Sequence, residues 1–317
     1  MSISVVICVY TEDRWEDIRA AVQSVRDQRR KADELILVVD YNPELHLRLK
    51  KEYPDAIVVE NTHEKGLSGG KNTGAEVATG DIVAYLDDDA VADPGWLESL
   101  EGAMHDPAGS VVGVGGRTEP LWATGRRPRW FPEEFDWTVG CSYRGMPTRR
   151  APIRNVMGGN AAFRRPLIME VGGFHSGIGR SVQGRKSRPL GCEETEFCIR
   201  LAQRRPGSIM MYEPDAKIGH KVPEPRMRFA YFRSRCYAEG LSKALVTSSV
   251  GAGDGLASER AHALKALPLG ALRNVGQALR GDVAGLARAA AIVIGLAWTT
   301  WGYVVGTARI RLRTTKR

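Results

Sequence analysis

The chain has 317 residues, with 45 Lys and Arg against 37 Asp and Glu, a formal net charge of +8 and 43% hydrophobic residues. That length accommodates one large α/β domain and an appendage. The positive balance suits anionic substrates or an anionic membrane surface. Nucleic acid is not an expected partner, because no helix-turn-helix, zinc finger or aromatic–basic platform is present.

The first hundred residues alternate strand and helix. Apolar runs at 3–9, 35–39, 56–59 and 82–86 read as parallel strands. Amphipathic stretches at 15–28, 44–52 and 67–78 lie between them and have the length that a crossover helix needs. This predicts a Rossmann-like half of right-handed βαβ units, within a mostly parallel sheet flanked by helices. Residues 117–156, rich in Pro, Trp and Arg, read as an irregular insertion over the sheet edge, of the kind that makes lids and binding loops. Helices resume at Glu194 and again over about 227–245.

A Gly/Ser-rich linker at 248–258 is expected to divide a catalytic domain, 1–247, from a helical tail, 259–317. Within the tail, residues 289–306 (AAAIVIGLAWTTWGYVVG) contain no charge, and Arg309, Arg311, Arg313, Lys316 and Arg317 follow. This segment sits at the lower edge of what spans a hydrocarbon core, so membrane attachment is expected, either as a short span or in the interface. A helix packed on the catalytic domain is the competing reading. Five cysteines (Cys8, Cys141, Cys192, Cys198, Cys236) show no C-x-x-C or zinc spacing and read as reduced core residues. No leader precedes the first strand, so the catalytic face is expected on the cytoplasmic side of the membrane.

The chemistry concentrates at Asp87-Asp88-Asp89, which ends the fourth apolar run. Carboxylates packed this closely repel one another unless a cation shares their charge. At the C-terminal edge of an α/β sheet that cation is Mg²⁺ or Mn²⁺. The alternative is an acidic turn in which Asp89 or Asp93 caps a helix. Asp40, at the end of the second strand, suits a hydrogen bond from a base or ribose, or else a turn. GLSGGKNTG at 66–74 fails the phosphate-loop spacing, with Asn72 where Ser or Thr would bind Mg²⁺. No G-x-G-x-x-G follows the first strand, which disfavours a dinucleotide oxidoreductase.

Val9-Tyr10-Thr11, Asp40, GLSGGKNTGAEVATGDIVAYLDDDA at 66–90, GGNAAFRR at 158–165, GCEETEFCIRL at 191–201 and His220 arrive in one order. This set resembles the family 2 glycosyltransferases of GT-A fold, over about residues 1–245. VVDYNPE at 38–44, LDDDAVADPGW at 86–96, WFPEEFDWTVG at 130–140 and IGHKV at 218–222 are most similar to the branch of glucuronosyltransferases that extend glucosyl-dolichyl phosphate.

The resemblance implies a UDP-sugar donor, an acceptor sugar linked to a polyprenyl or dolichyl phosphate, and Mn²⁺ or Mg²⁺. It implies that Thr11, Glu12 and Asp40 line the nucleobase and ribose pocket, with Lys71 near the nucleotide. Asp87 and Asp88 fall on the donor side, Asp89 binds the metal, and His220 lies near the metal or diphosphate. Gly158, Gly159 and Asn160 shape the sugar and acceptor pocket. Glu194 stands where many members have an aspartate base, with Glu193 as the rival. A glutamate is ionised at neutral pH and able to take a proton, although Glu193, Glu194 and Glu196 would also favour a helix N-terminus without any catalytic part. One base, one metal and no covalent nucleophile imply single displacement with inversion. Arg154, Arg164, Arg180, Arg185 and Lys186 are candidates for reading a uronic acid's carboxylate. Two other readings stay open: the same fold acting on a soluble natural product or a capsule or cell-wall intermediate, and a nucleotide-sugar-binding protein without catalysis.

Overall fold

The computed structural model describes residues 1–176, 178, 181–183, 186–188 and 190–314, with backbone alone at 181–183, 186–188, 313 and 314. Strands β1 (Ile3–Val9), β2 (Glu34–Val39), β3 (Ile57–Glu60) and β4 (Ile82–Asp87) form where the apolar runs predict. They pair in parallel in the order β3-β2-β1-β4. Helices α1 (Trp15–Arg26), α2 (Pro43–Glu52) and α3 (Leu67–Val77) make the crossovers. Asn42 caps α2 by accepting from the Leu45 N–H, with Pro43 at the first helical turn. Both sheet faces are covered, which is why β1 and β4 are apolar nearly throughout.

Past β4 the pairing changes sense. The elements are β5 (Ala90–Ala92), α4 (Trp96–Met104), β6 (Val111–Trp122), β7 (Ala151–Ile153), β8 (Asn160–Arg164), α5 (Arg165–Glu170), the hairpin β9 (Ser181–Gln183) and β10 (Lys186–Arg188), α6 (Glu193–Arg204) and β11 (Ile209–Val222). The sheet continues β4-β8-β6-β11-β5, with β7 on β11. The pairs β4–β8, β8–β6, β11–β5 and β11–β7 are antiparallel. The sheet is therefore mixed rather than mostly parallel. Parallel pairing needs a crossover, usually helical, and such crossovers end with α3.

Two compact units result. One comprises Met1–Glu119, Pro147–Arg188 and Glu193–His220, and the other Pro120–Met146, Pro189–Cys192 and Lys221–Arg317. The second unit contains α7 (Phe229–Val250), α8 (Ala252–Gly255), α9 (Ala257–Ala261), α10 (Leu267–Leu279) and α11 (Ala284–Thr314). The expected linker at 248–258 thus carries the end of α7, all of α8 and the start of α9. The irregular stretch after β6 supplies Phe131, Phe135, Val139 and Cys141 to a buried cluster with Phe232, Cys236, Leu267, Ala291 and Ile292. It builds a core, which explains its aromatic content. Helices α7 and α11 touch backbone to backbone: a Cβ at Gly240 would lie 2.0 Å from the Thr299 carbonyl oxygen, and one at Gly302 would lie 2.1 Å from that of Tyr237.

Helix α11 is long and apolar enough, over Ala284–Leu312, to cross a membrane, and only 28% of its apolar window is buried. Arg313, Lys316 and Arg317 of the expected basic tail have no described side chains. All five cysteines are free thiols, four of them buried.

Candidate active site

The site grows from the end of β4, all of it in the first unit. Asp87 is the last residue of β4, and β8 runs beside it with Leu86 opposite Asn160. A Cβ at Gly159 would stand 2.1 Å from Asp87 Oδ2, so the carboxylate keeps its place only because this residue is glycine. On the other side, β11 pairs His220 with Ala90 in antiparallel register. That register brings His220 Nε2 within 3.2 Å of Asp89 Oδ1 and 4.0 Å of Asp87 Oδ2. The ligand atoms of Asp87, Asp89 and His220 all lie within 4.8 Å of one another. Two carboxylate oxygens and one imidazole nitrogen, with Asp89 and His220 buried, fit a hard divalent cation of the Mn²⁺ or Mg²⁺ type. Helix α4 takes Gly95 as its N-cap with no side-chain cap bond, so neither Asp89 nor Asp93 has the capping role.

Asp88 points elsewhere. Its Oδ1 lies 2.5 Å from Arg14 Nη1, which also lies 3.2 Å from Asp89 Oδ2. Asp88 Oδ2 is buried without a hydrogen-bond partner among the described residues. Burial pushes the Asp88 carboxyl up to about 7, opposed by Arg14 and reinforced by Asp89 and Asp87. For Arg14, burial works against its charge, but Asp88 and Asp89 outweigh it and the net direction is up. Sequence reasoning passed over Arg14, which sits between β1 and α1, because nothing local ties it to an acid 74 residues away.

Helix α6 opens with the acidic pair. Glu193 is buried, and its Oε1 accepts from Lys71 Nζ at 3.0 Å. Lys71 is itself 2% exposed. Burial would lower its pKa, but Glu193, Glu194 and Asp87 outweigh that and raise it. Glu194 is half-buried. Gly158 fits between the two: a Cβ there would lie 2.5 Å from Lys71 Nζ and 3.4 Å from Glu194 Cβ. Lys71, expected near the nucleotide, is paired with Glu193 and also feels Glu194 and Asp87. Glu196 serves the fold, held by Arg200 at 2.8 Å and His175 at 3.2 Å.

The expected nucleoside residues lie at the ends of β1 and β2. Thr11 Oγ1 accepts from the Asp13 N–H at 3.3 Å, and the exposed Glu12 faces Arg48 at 3.9 Å. Asp40 accepts from Asn61 Nδ2 at 2.8 Å and from the Gly66 N–H at 3.1 Å. Among the described residues, two other than glycine have positive φ, Tyr41 (54°) and Cys192 (75°); they directly follow Asp40 and directly precede Glu193. Such backbone positions cost energy and gather at functional sites.

Asn160, expected to help shape the pocket, is fully buried and braces the sheet. It accepts from Trp96 Nε1 at 2.8 Å and donates to the Arg117 and Ala216 carbonyls, both at 3.0 Å. Arg164 donates to the Val111 and Met104 carbonyls, and Arg154 to Asn155. Arg180, Arg185 and the Lys186 side chain lie outside the described residues.

A parallel half-sheet that delivers Asp87 and Asp89 to its C-terminal edge, and antiparallel strands that return His220 to them, make up the GT-A fold. Residues 4–172 match the family described as Glycosyl transferase family 2, and the chain belongs to that family. It is 36% identical, over 77% of its length and 76% of the relative's, to a glucosyl-dolichyl phosphate glucuronosyltransferase of Haloferax volcanii. Among solved structures it is similar to the mannosyltransferase PcManGT of Pyrobaculum calidifontis in complex with GDP-Man and Mn²⁺ (TM-score 0.56, 19% identity, 94% of this chain and 87% of that one). It is also similar to GalNAc-T7 with UDP, GalNAc and Mn²⁺ (TM-score 0.52, 20% identity), covering 70% of this chain and 44% of that one.

Proposed function

We propose that this enzyme transfers a sugar, with a hexuronic acid as the leading candidate, from a UDP-sugar to a hydroxyl of a polyprenyl- or dolichyl-phosphate-linked sugar. The reading places it on the cytoplasmic face of a membrane. The observation that carries it is the division of labour among the acids, taken with the glucuronosyltransferase relative. Asp87, Asp89 and His220 converge on one point, Glu193 is spent on Lys71, and Glu194 alone of the α6 pair keeps solvent access.

In this reading Asp87, Asp89 and His220 hold a divalent ion, which supplies Lewis-acid neutralisation of the departing nucleoside diphosphate. Thr11, Glu12 and Asp40 bind the nucleoside, Asp40 through the acceptor capacity left beside Asn61 and Gly66. Gly158 and Gly159 let Lys71, Glu194 and Asp87 close up around the sugar site. Glu194 takes the proton of the acceptor hydroxyl as that oxygen attacks the anomeric carbon from the face opposite the leaving group, inverting it. Glu193 and Lys71 form a neutral buried pair that fixes the start of α6.

A panel of UDP-, GDP- and dTDP-sugars with Mn²⁺ or Mg²⁺ tests the reading, scored by nucleotide release and thermal shift. A UDP-sugar should give both the largest shift and turnover on a lipid-linked acceptor. Turnover confined to water-soluble acceptors would move the assignment to a soluble or cell-wall substrate. Thermal shift without turnover on any acceptor would mean a binding protein.

A further inference from the structure

The two oxygens of Asp89 face different groups. Oδ1 lies 3.2 Å from His220 Nε2 and Oδ2 lies 3.2 Å from Arg14 Nη1. That same guanidinium nitrogen lies 2.5 Å from Asp88 Oδ1, inside a site where Asp88 and Asp89 are both buried. Asp88 contributes no atom to the convergent group formed by Asp87, Asp89 and His220. We infer that Arg14 is the positioning residue of the metal site: it holds Asp88 out of coordination and leaves Asp89 one oxygen, Oδ1, for the ion. The inference rests on the metal reading above and adds a specific device to it.

The electrostatics support such a device. Three formal negative charges at Asp87, Asp88 and Asp89 are matched by one fixed guanidinium and one divalent ion. Arginine suits the task because it stays charged and presents its donors in a rigid fork. Without it, the buried Asp88 carboxyl loses its counter-charge, and Asp89 loses the contact that holds Oδ2 away from the ion, which favours chelation through both oxygens. A bidentate carboxylate suits the larger, less demanding Ca²⁺ shell, whereas Mg²⁺-sized ions prefer near-octahedral geometry. Arg14 therefore tunes both affinity and ion choice.

The test is Mn²⁺ titration of the full-length chain by electron paramagnetic resonance, with UDP present and Ca²⁺ as competitor. Wild type should bind Mn²⁺ and Asp89→Ala should not. Arg14→Met should weaken Mn²⁺ by the ~10–100-fold typical of lost outer-shell partners and narrow the preference over Ca²⁺, with Arg14→Lys in between. Asp88→Asn should bind Mn²⁺ nearly as wild type does. Wild-type affinity in Arg14→Met, or a loss in Asp88→Asn as large as in Asp89→Ala, overturns the inference while the metal reading stands. Should Arg14→Met fail to fold, Arg14→Met/Asp88→Asn removes both charges together. Its Mn²⁺ affinity should fall below that of Asp88→Asn alone, and equality overturns the proposal. Absence of Mn²⁺ binding in wild type overturns the metal reading and this inference with it.

Discussion

The two units resolve opposite problems. In the first, charge is buried: Asp88, Asp89, Lys71, Glu193 and His220 are all nearly inaccessible, each beside a partner of complementary character. In the second, apolar surface is left in water: Leu264, Leu272, Leu279, Leu286 and Trp301 are between 56% and 85% exposed. Buried charges persist only when paired, and large exposed apolar groups in one region mark a partner surface. Each unit therefore points outside the chain, the first toward a counter-ion and the second toward an apolar partner; under the proposed function these are the donor's metal and a lipid surface.

The sharpest way to break the comparison is Asp89→Ala. It removes a group shared between His220 and Arg14, so Mn²⁺-dependent nucleotide release should vanish while circular dichroism stays native. Full activity with unchanged metal dependence would remove the metal assignment. Glu194→Gln comes next and should reduce kcat by roughly 10²–10⁴-fold with donor affinity kept. Glu193→Gln should behave differently. It strands the Lys71 ammonium in the core, a loss of about 3–5 kcal/mol read as a lower Tm. If Glu193→Gln folds normally and loses turnover while Glu194→Gln does not, the base is Glu193.

The second unit is tested by removing what covers it. Deleting 259–317 strips Leu267, Ala291 and Ile292 from the aromatic cluster around Phe131, Phe135 and Phe232. It also exposes the glycine face of α7 at Gly240. The expected outcome is an aggregating protein by light scattering, with nucleotide binding retained only if the first unit folds without the second. A gentler probe is Leu272→Asp with Leu279→Asp, at 69% and 85% exposed positions. Their stability cost should stay within about 0.5 kcal/mol each. Sedimentation with anionic liposomes should fall by severalfold. Unchanged sedimentation would mean that α10 is not the membrane-facing element.

What was legible in the sequence followed how local the signal is. The four parallel strands and three crossover helices are written in runs of apolar residues and caps such as Asn42. Asp87, Asp89 and His220 were recognisable as an ordered pattern, yet their convergence depends on the pairing of β11 with β5, a contact between segments 130 residues apart. Arg14 carried no pattern at all, and Asn160 looked like a pocket residue because only the fold shows its amide spent on Trp96 and two carbonyls. The antiparallel half of the sheet was missed for the same reason. Short strands such as β5 and β7 have three residues each, too few for periodicity to report.

The smallest expected effect separates two titrating groups in the second unit whose pH slopes oppose. Burial lowers the His262 pKa below its usual value, although its ring bonds the Glu134 carbonyl at 3.2 Å and packs on Tyr143 at 4.9 Å. As pH falls through about 6.5, the unfolded chain takes up this proton first. His262 therefore contributes stability above that pH and loses it as pH falls toward the lower folded value. Asp136 runs the other way. Burial pushes it up to about 6 despite its paired contacts with Arg127, so the native state binds the proton more tightly, and stability from this group is lost as pH rises from about 4 to 6. Each slope is isolated by difference: Tm is measured between pH 4.5 and 7.5 for wild type, His262→Gln and Asp136→Asn. Relative to wild type, His262→Gln should gain stability as pH falls from 6.5, and Asp136→Asn should gain it as pH rises toward 6. Parallel curves for all three would mean that neither group changes its proton affinity on folding.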